Sequence, residues 1–441
     1  MTKSALVELS PTDTLFLREG RPFDQLDAGL AEASSQFPPL PSTLAAMMAL
    51  AMVRQAAGDQ LDPADHNWYG DLDYRPALPS LEAASNEALR ERLALVRGLT
   101  GRSAPPAPSP MPPTTEGSAE GASPATLRTT GPYLLRTTGR QRRLYVPWPS
   151  SLMVEKKSRS LRSVAPNAAL LPLASDQTSG PVPSVLPIGS VKEPIVLERL
   201  NDRWIEWTAF CRHLADLAGA FKPTEGLNDF SVGRSDILSV DERIGIAIDP
   251  ITGTARAGNL YAAGHIRLNP GFSLAVVLDS ATELQPDWLP DSAPLGGEGR
   301  QVAISISDLA MPGLSGGQFK LFKTDRDGLR LRLTALTPVP VTVPQGLPAM
   351  TGPKEALGQF SGMKIVSAVV DRPRVAGIWR SGRVSGIRVV PAGSTWFVTV
   401  PTKKNPENAA RQLADAATHL RLASPELAAL GYGAFAIGNW P

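Results

Sequence analysis

Two pieces of the chain decide the fold: Pro11-Thr12-Asp13-Thr14-Leu15-Phe16-Leu17-Arg18-Glu19-Gly20-Arg21-Pro22-Phe23 and, after a short interval, Phe37-Pro38-Pro39-Leu40-Pro41-Ser42-Thr43-Leu44. An apolar strand through Val7-Glu8-Leu9 runs into the first piece, and the second opens a helix. Pro41 has its φ fixed near the helical value, and the hydroxyls of Ser42 and Thr43 accept amide hydrogens left unpaired at a helix start. Such an end is also a ready anion site. From Pro41 to about Ala57, Leu44, Met47, Met48, Ala51 and Met52 recur at helical spacing, a stripe that reads as core, and Arg54 near the far end complements the helix dipole.

Further along, Leu81 to Arg97 alternates Glu and Arg, the pattern of a solvated helix face. Ser103 to Pro124 is crowded with Pro, Ser, Thr and Gly and buries too little to offset its ordering entropy, so it reads as a mobile insertion. Gly131 to Leu135 and Arg142 to Pro147 read as short strands. Their arginines, with Arg136 and Arg140, are interleaved with Tyr133, Tyr145 and Trp148. That pattern fits RNA contact by phosphate pairing and stacking, and it fits a hairpin with one charged face equally. Lys156, Lys157, Arg159 and Arg162, beside the flexible stretch Ala165 to Val185, form either a solvated loop or an electrostatic arm.

A helix is expected from Trp204 to Ala220, with Trp204, Trp207, Phe210 and Leu214 at core spacing and His213 in a structural role. Beyond Arg243 the chain turns to strands. Ile244 to Ile248, Leu260 to Leu268 and Leu274 to Leu278 suggest an antiparallel meander turning at Asp249-Pro250 and Asn269-Pro270-Gly271. Val302 to Ile306, Lys320 to Phe322, Ile365 to Val370 and Thr395 to Val400 add strands, and a last helix spans Pro406 to Leu420. Strands with a few two-sided helices define an α+β class rather than a doubly wound sheet.

At 441 residues the chain is long enough for two or more domains. Its net charge of +2 and pI near 8.6 do not by themselves mark a nucleic-acid binder. Arginine makes up 33 of the 44 basic residues. Its planar fork suits phosphates and base stacking, although a GC-rich coding sequence would also enrich Arg, Ala and Pro together. Cys211 is the one cysteine, which excludes an intramolecular disulfide framework and a thiolate zinc cage. The N-terminus lacks the pattern of a signal peptide, and the longest apolar run, Leu44 to Val53, is short of the roughly 20 residues a membrane helix needs. A soluble cytoplasmic protein is expected, with no membrane partner.

Two motifs imitate enzyme signatures. Leu314-Ser315-Gly316-Gly317-Gln318 matches the signature loop of ABC ATPases, but the sequence contains no Gly-Lys pair and therefore no P-loop for that loop to serve. Gly431-x-Gly433 and Gly438 hint at a dinucleotide fingerprint, yet no helix follows to hold a pyrophosphate. The histidines His66, His213, His265 and His419 lie in separate segments without metal-ligand spacing, so neither a metal nor a cofactor is expected.

The two opening pieces, as a strand, a D-x-L-F-x-R-x-x-R-P-F segment and an F-P-P-x-P-S-T-L helix start, resemble the CRISPR RAMP proteins, specifically the family of third subunits of the Cmr module in type III-B effector complexes. The resemblance continues at Glu242 to Ala247, Gly258-Asn259-Leu260-Tyr261, Leu295 to Arg300 and Gly431-Tyr432-Gly433. It departs at Ala46, where RAMP helices often carry glycine. The resemblance implies two ferredoxin-like (RRM-related) domains with antiparallel sheets. Residues 1–240, with the insertion near 103–124, would form the first, and residues 241–441, ending in a glycine-rich loop, the second.

By the same resemblance the chain would be a non-catalytic RNA-binding scaffold. It would hold the 5′ tag of the CRISPR RNA, dock the large polymerase-like subunit and touch a backbone RAMP subunit. Arg18 and Arg21 are then expected to meet phosphates or tag bases, with a salt bridge from Arg18 to Asp13 or Asp24 as the competing assignment. Ser42 and Thr43 would offer donors at the helix start, and Arg300, Gly431, Tyr432 and Gly433 would line the same groove. For the glycines, a tight turn into a last strand at Phe435 to Ile437 is the other reading. RAMP endoribonucleases place His or Lys near the first helix for general acid–base work. The first helix and its approach carry neither here, so catalysis is not expected. A transcript-processing endoribonuclease and a protein-only interaction module are the alternatives.

Overall fold

The structure is a computed structural model and describes residues 3–17, 31–57, 87–96, 127–166, 185–187, 196–200, 202–215, 226–249, 251–280, 284–307, 309, 324–325, 328–341, 350–380, 383–402 and 406–439. Arg18, Arg21, His66, the Ser103 to Pro124 insertion, most of Ala165 to Val185, the Leu314 to Gln318 loop and the Lys320 to Phe322 strand lie outside the described residues.

Five elements frame the first half: β1 (Lys3–Pro11), α1 (Pro41–Ala57), β2 (Arg128–Thr138), β3 (Phe272–Ser280) and β4 (Gln301–Ile306). Their strands run antiparallel in the order β4-β1-β3-β2, with Leu9 opposite both Leu274 and Ile304, and Leu274 opposite Leu134. Gln141–Pro147, Arg203–Glu206 and Ser231–Gly233 extend the sheet beyond β2, and Ser292–Pro294 extends it beyond β4. Alternate residues face opposite sides. Val7, Leu9, Leu134, Leu274, Val276 and Leu278 join the core that contains α1, with Leu44, Met48 and Met52. Leu6, Tyr133, Leu135, Ala275 and Val277 belong to a second core on Phe210 and Leu214.

The second half repeats the pattern with β5 (Gly328–Ala335), α2 (Lys354–Gln359), β6 (Lys364–Val369), β7 (Thr395–Val400), α3 (Pro406–His419) and β8 (Phe435–Asn439). The strand order is β8-β5-β7-β6, again antiparallel throughout. Leu413, Ala416 and Leu420 of and after α3 pack with Leu331, Leu333, Trp396, Val398 and Phe435. Fourth-first-third-second is thus the order of both sheets. Between β3 and β4 the described residues hold a short 3₁₀ turn, Pro286–Trp288, where the second half has α3.

The α+β class and the antiparallel sheets agree with the sequence reading, and α1 spans the expected Pro41–Ala57. Three expectations need correction. β1 lies between β3 and β4, so strands from both sides of Val240 share one sheet, and a division there would cut through it. Leu238–Ile248 and Ala255–Leu268 do form a hairpin, but Phe272–Ser280 leaves it for the main sheet, so there is no three-stranded meander. Trp204 is not helical: Arg203–Glu206 is a strand with Trp204 opposite Pro147, and the helix begins at Trp207. Aromatic and β-branched residues favour strands once an edge is available, and Gln141–Pro147 supplies it.

Buried arginines join the halves. Arg332 of β5 is fully buried and donates to the carbonyl of His213 and to His213 Nε2 at 3.1 Å, while Ser151 Oγ lies 3.1 Å from the same nitrogen. Arg421 donates to the carbonyls of Thr418 (2.9 Å) and Leu420 (2.8 Å) and across to Thr130 Oγ1 of β2 at 2.9 Å. Cys211 is buried and its thiol is pushed up to about 12 by desolvation. Among the described residues no helix is long and apolar enough to cross a membrane.

Candidate nucleic-acid interface

The chain leaves β1 in an extended segment held on both sides. Leu15 exchanges backbone hydrogen bonds with Ile266 of the long hairpin, at 2.7 and 2.8 Å, and the Gly297 amide donates to the Phe16 carbonyl at 2.7 Å. A side chain at Gly296 would strike that carbonyl, and φ there is +83°, so the close approach requires glycine. The Phe16 ring stacks on His265 with centroids 4.9 Å apart. Leu17, the last described residue before Arg18, receives the Gln36 amide at 2.8 Å and donates to Ser35 Oγ at 3.1 Å, which ties this segment to the approach of α1.

Charged side chains from three segments meet here. Asp13 accepts from Arg267 at 2.8 Å and lies 3.7 Å from both Arg243 and Arg300. Arg243 also engages Asp241 at 3.2 Å and Thr14 Oγ1 at 3.2 Å, and Arg300 engages Glu298 at 2.9 Å. The Thr14 amide, followed by Arg267 and Arg243, holds the Asp13 carboxyl below its usual range. His265 is buried, with Thr14 Oγ1 at 3.4 Å from Nδ1 and Glu298 at 3.5 Å from Nε2. Desolvation lowers its pKa against the opposing pull of Glu298, so the ring is neutral near pH 7. The three arginines are thus matched by Asp13, Asp241 and Glu298, and the cluster is a joint that fixes where residues 13–17 lie.

Arg300 therefore has carboxylate partners, and Asp13, the partner considered for Arg18, is occupied by Arg267, Arg243 and Arg300. Sequence reading passed over Arg243 and Arg267. Their signal was period-two spacing, with Asp241 and Arg243 on one strand and His265 and Arg267 on the next, in a register that sets Asp241 opposite His265.

The other expected residues assemble at the start of α1. The amides of Thr43 and Leu44 both donate to the Leu40 carbonyl, which makes Pro41 the first helical residue. Ser42 Oγ lies 3.2 Å from Tyr432 Oη, and a side chain on Gly431 would meet Pro41 and Thr129. The amides of Gly431, Tyr432 and Gly433 are committed to the carbonyls of Ala428, Leu427 and Pro338. All three residues are buried, and burial pushes the Tyr432 phenol up to about 12. The turn is thus an internal brace on the helix start, with no donor or ring presented to a ligand. Tyr133, Tyr145 and Trp148 are likewise buried, which removes them as stacking platforms. Arg136 and Arg140 remain exposed, whereas Arg142 pairs with Glu8.

Two antiparallel modules of like strand order, with a charged joint where the first strand ends, define an α+β protein of duplicated design. A family model described as CRISPR-associated protein (Cas_Cmr3) matches residues 7–440, and the chain belongs to that family. Among solved structures, the chain is similar to one in "Cryo-EM structure of the Type III-B Cmr-beta bound to cognate target RNA and AMPPnP, state 1", at 14% identity and a TM-score of 0.38, covering 89% of this chain and 86% of that one. A second, in "Cryo-EM structure of the Type III-B Cmr-beta bound to cognate target RNA", has 15% identity, a TM-score of 0.38, and coverage of 90% and 86%. No curated protein matches the chain.

Proposed function

We propose that this chain is the non-catalytic RNA-binding scaffold subunit of a type III-B (Cmr) CRISPR effector, holding the 5′ tag of the CRISPR RNA and docking the large polymerase-like subunit beside a backbone RAMP subunit. Family membership across residues 7–440 carries the reading. The strand order common to both halves supports a ferredoxin-like reading, and in such folds the loops and open sheet edges are what RNA meets. The Asp13 joint supports a contact made by Arg18 and Arg21, because it orders the chain up to Leu17, immediately before them. Against nuclease chemistry stands His265, which among the described histidines is the one in this joint. It is neutral, stacked under Phe16 and approached at both ring nitrogens by Thr14 and Glu298, which leaves it no role as a base toward a ligand.

The test is crosslinking in the reconstituted effector with a CRISPR RNA photo-labelled in its 5′ tag, comparing wild type with Arg18→Ala plus Arg21→Ala. The expected result is label on peptides flanking Arg18 that falls in the variant while the subunits still co-purify. No label on this chain in an intact complex sinks the RNA reading in favour of a protein-only docking role. Metal-independent cutting of a CRISPR transcript by the purified chain overturns the non-catalytic reading.

A further inference from the structure

An open cleft of about 620 Å³ lies beside the foot of the long hairpin, where Arg199, Arg203 and Arg234 converge and Leu200, Leu238 and Val240 form an apolar bank. The Arg203 guanidinium is half-buried and is aimed by neutral acceptors, Asn228 Oδ1 at 2.7 Å and Ser231 Oγ at 3.3 Å. Among the described residues no ion pair engages Arg203 or Arg234. Of the neighbouring carboxylates, Asp236 spends an oxygen on the Gly233 amide at 2.8 Å, and Asp371 is taken by Arg199 at 2.6 Å. Asp202, which also lines the cleft, is exposed to water.

Burial lowers the pKa of Arg203 and the Asp236 charge opposes this without forming an ion pair, so an anion in the cleft would add a direct charged partner to a guanidinium drawn partly out of water. Planar guanidinium forks lining one cleft match the oxygens of a phosphodiester. Val240, 53% exposed beside them, offers a surface for a ribose or base. The cleft is too open to enclose a free metabolite but is accessible to a strand passing over it. Residues alternate in their facing along the hairpin strand, so Val240 and the cleft lie on the face opposite Asp241 and Arg243 of the Asp13 joint.

We propose that this cleft is a phosphodiester-binding subsite for single-stranded RNA, with Arg203 and Arg234 as the phosphate ligands and Val240 as the packing surface. It rests on the reading that the chain binds RNA and adds a second contact on the other side of the hairpin.

The test uses the full chain and a short fluorescein-labelled single-stranded RNA, titrated at several salt concentrations, with wild type compared with Arg203→Gln and Arg234→Gln. Because Arg203 is hydrogen-bonded in place, Arg234→Gln is the variant that keeps the fold. Several-fold weaker binding is expected, with a salt slope shallower by about 0.7 for the lost phosphate contact. In the same experiment, 4-thiouridine adducts should appear on peptides spanning 196–206 or 231–240. Wild-type binding with an unchanged affinity and slope in Arg234→Gln defeats the subsite and leaves the RNA reading standing. No RNA binding by the wild-type chain or by the effector containing it defeats both. Loss of a neighbouring subunit from the Arg234→Gln complex with RNA binding intact overturns the proposal in favour of an acidic protein segment.

Discussion

His213 shows how one buried side chain sets a pH dependence. Desolvation and, after it, the neighbouring Arg332 charge push its pKa well below the ordinary 6.5. Above that value the imidazole is neutral whether the chain is folded or not, and it contributes nothing to the pH slope. Below it the unfolded chain takes a proton that the folded site refuses, so stability falls as pH falls, by up to about 1.4 kcal/mol per pH unit for this one group. Denaturant midpoints measured from neutral pH down to about pH 5.5 should therefore decline less steeply in His213→Gln than in wild type. Equal slopes would mean that the ring can be protonated in place. His265, also lowered, keeps its own contribution in both proteins. At this scale the sequence was partly legible. It marked His213 as structural, but its partner comes from residue 332, and no local pattern announces a contact across that separation.

Helix α1 was readable from end to end because its cues are local: a proline at the first helical position, hydroxyls beside it and an apolar stripe at helical spacing. The turn at Gly431 to Gly433 was legible as glycine chemistry but ambiguous in purpose, because glycine permits an approach by RNA and by protein alike. Packing decides between them: Gly433, at φ +75°, sits against the Leu422 backbone. Replacing it with alanine combines that clash with an unfavourable φ and should cost more than about 1 kcal/mol, read as a lowered urea midpoint. The Ser42–Tyr432 contact makes a second, finer prediction. In a double-mutant cycle of Ser42→Ala and Tyr432→Phe, the coupling should be about 1 kcal/mol in stability, with RNA affinity unchanged in the folded variants. An RNA affinity that falls with Tyr432→Phe alone would restore this residue to the binding surface.

The two halves unfold together or apart according to what joins them, and the join was the least legible part of the sequence. Strand identity is encoded by local alternation, and most strands lay where alternation put them. Pairing is not local, and β1 recruits β3 and β4 from beyond residue 270, which is why an expected division at Val240 fell inside one sheet. The join is polar as well as apolar. Arg421 leaves β8's side of the molecule to reach Thr130 Oγ1 on β2, and the Ser150 amide donates to the Gly393 carbonyl at 2.8 Å. A buried guanidinium with three short acceptors is costly to replace, because methionine would leave the Thr418 and Leu420 carbonyls and the Thr130 hydroxyl without their donor, at roughly 1–3 kcal/mol per orphaned group. Wild type should therefore show one cooperative transition, with exchange-protected amides of β3 and β7 opening at the same denaturant concentration. In Arg421→Met the midpoint should fall and the two sets of amides should separate. If they still open together at the wild-type midpoint, the halves are held by their apolar contact through Leu214, Leu336 and Ala436, and the arginine is incidental to it.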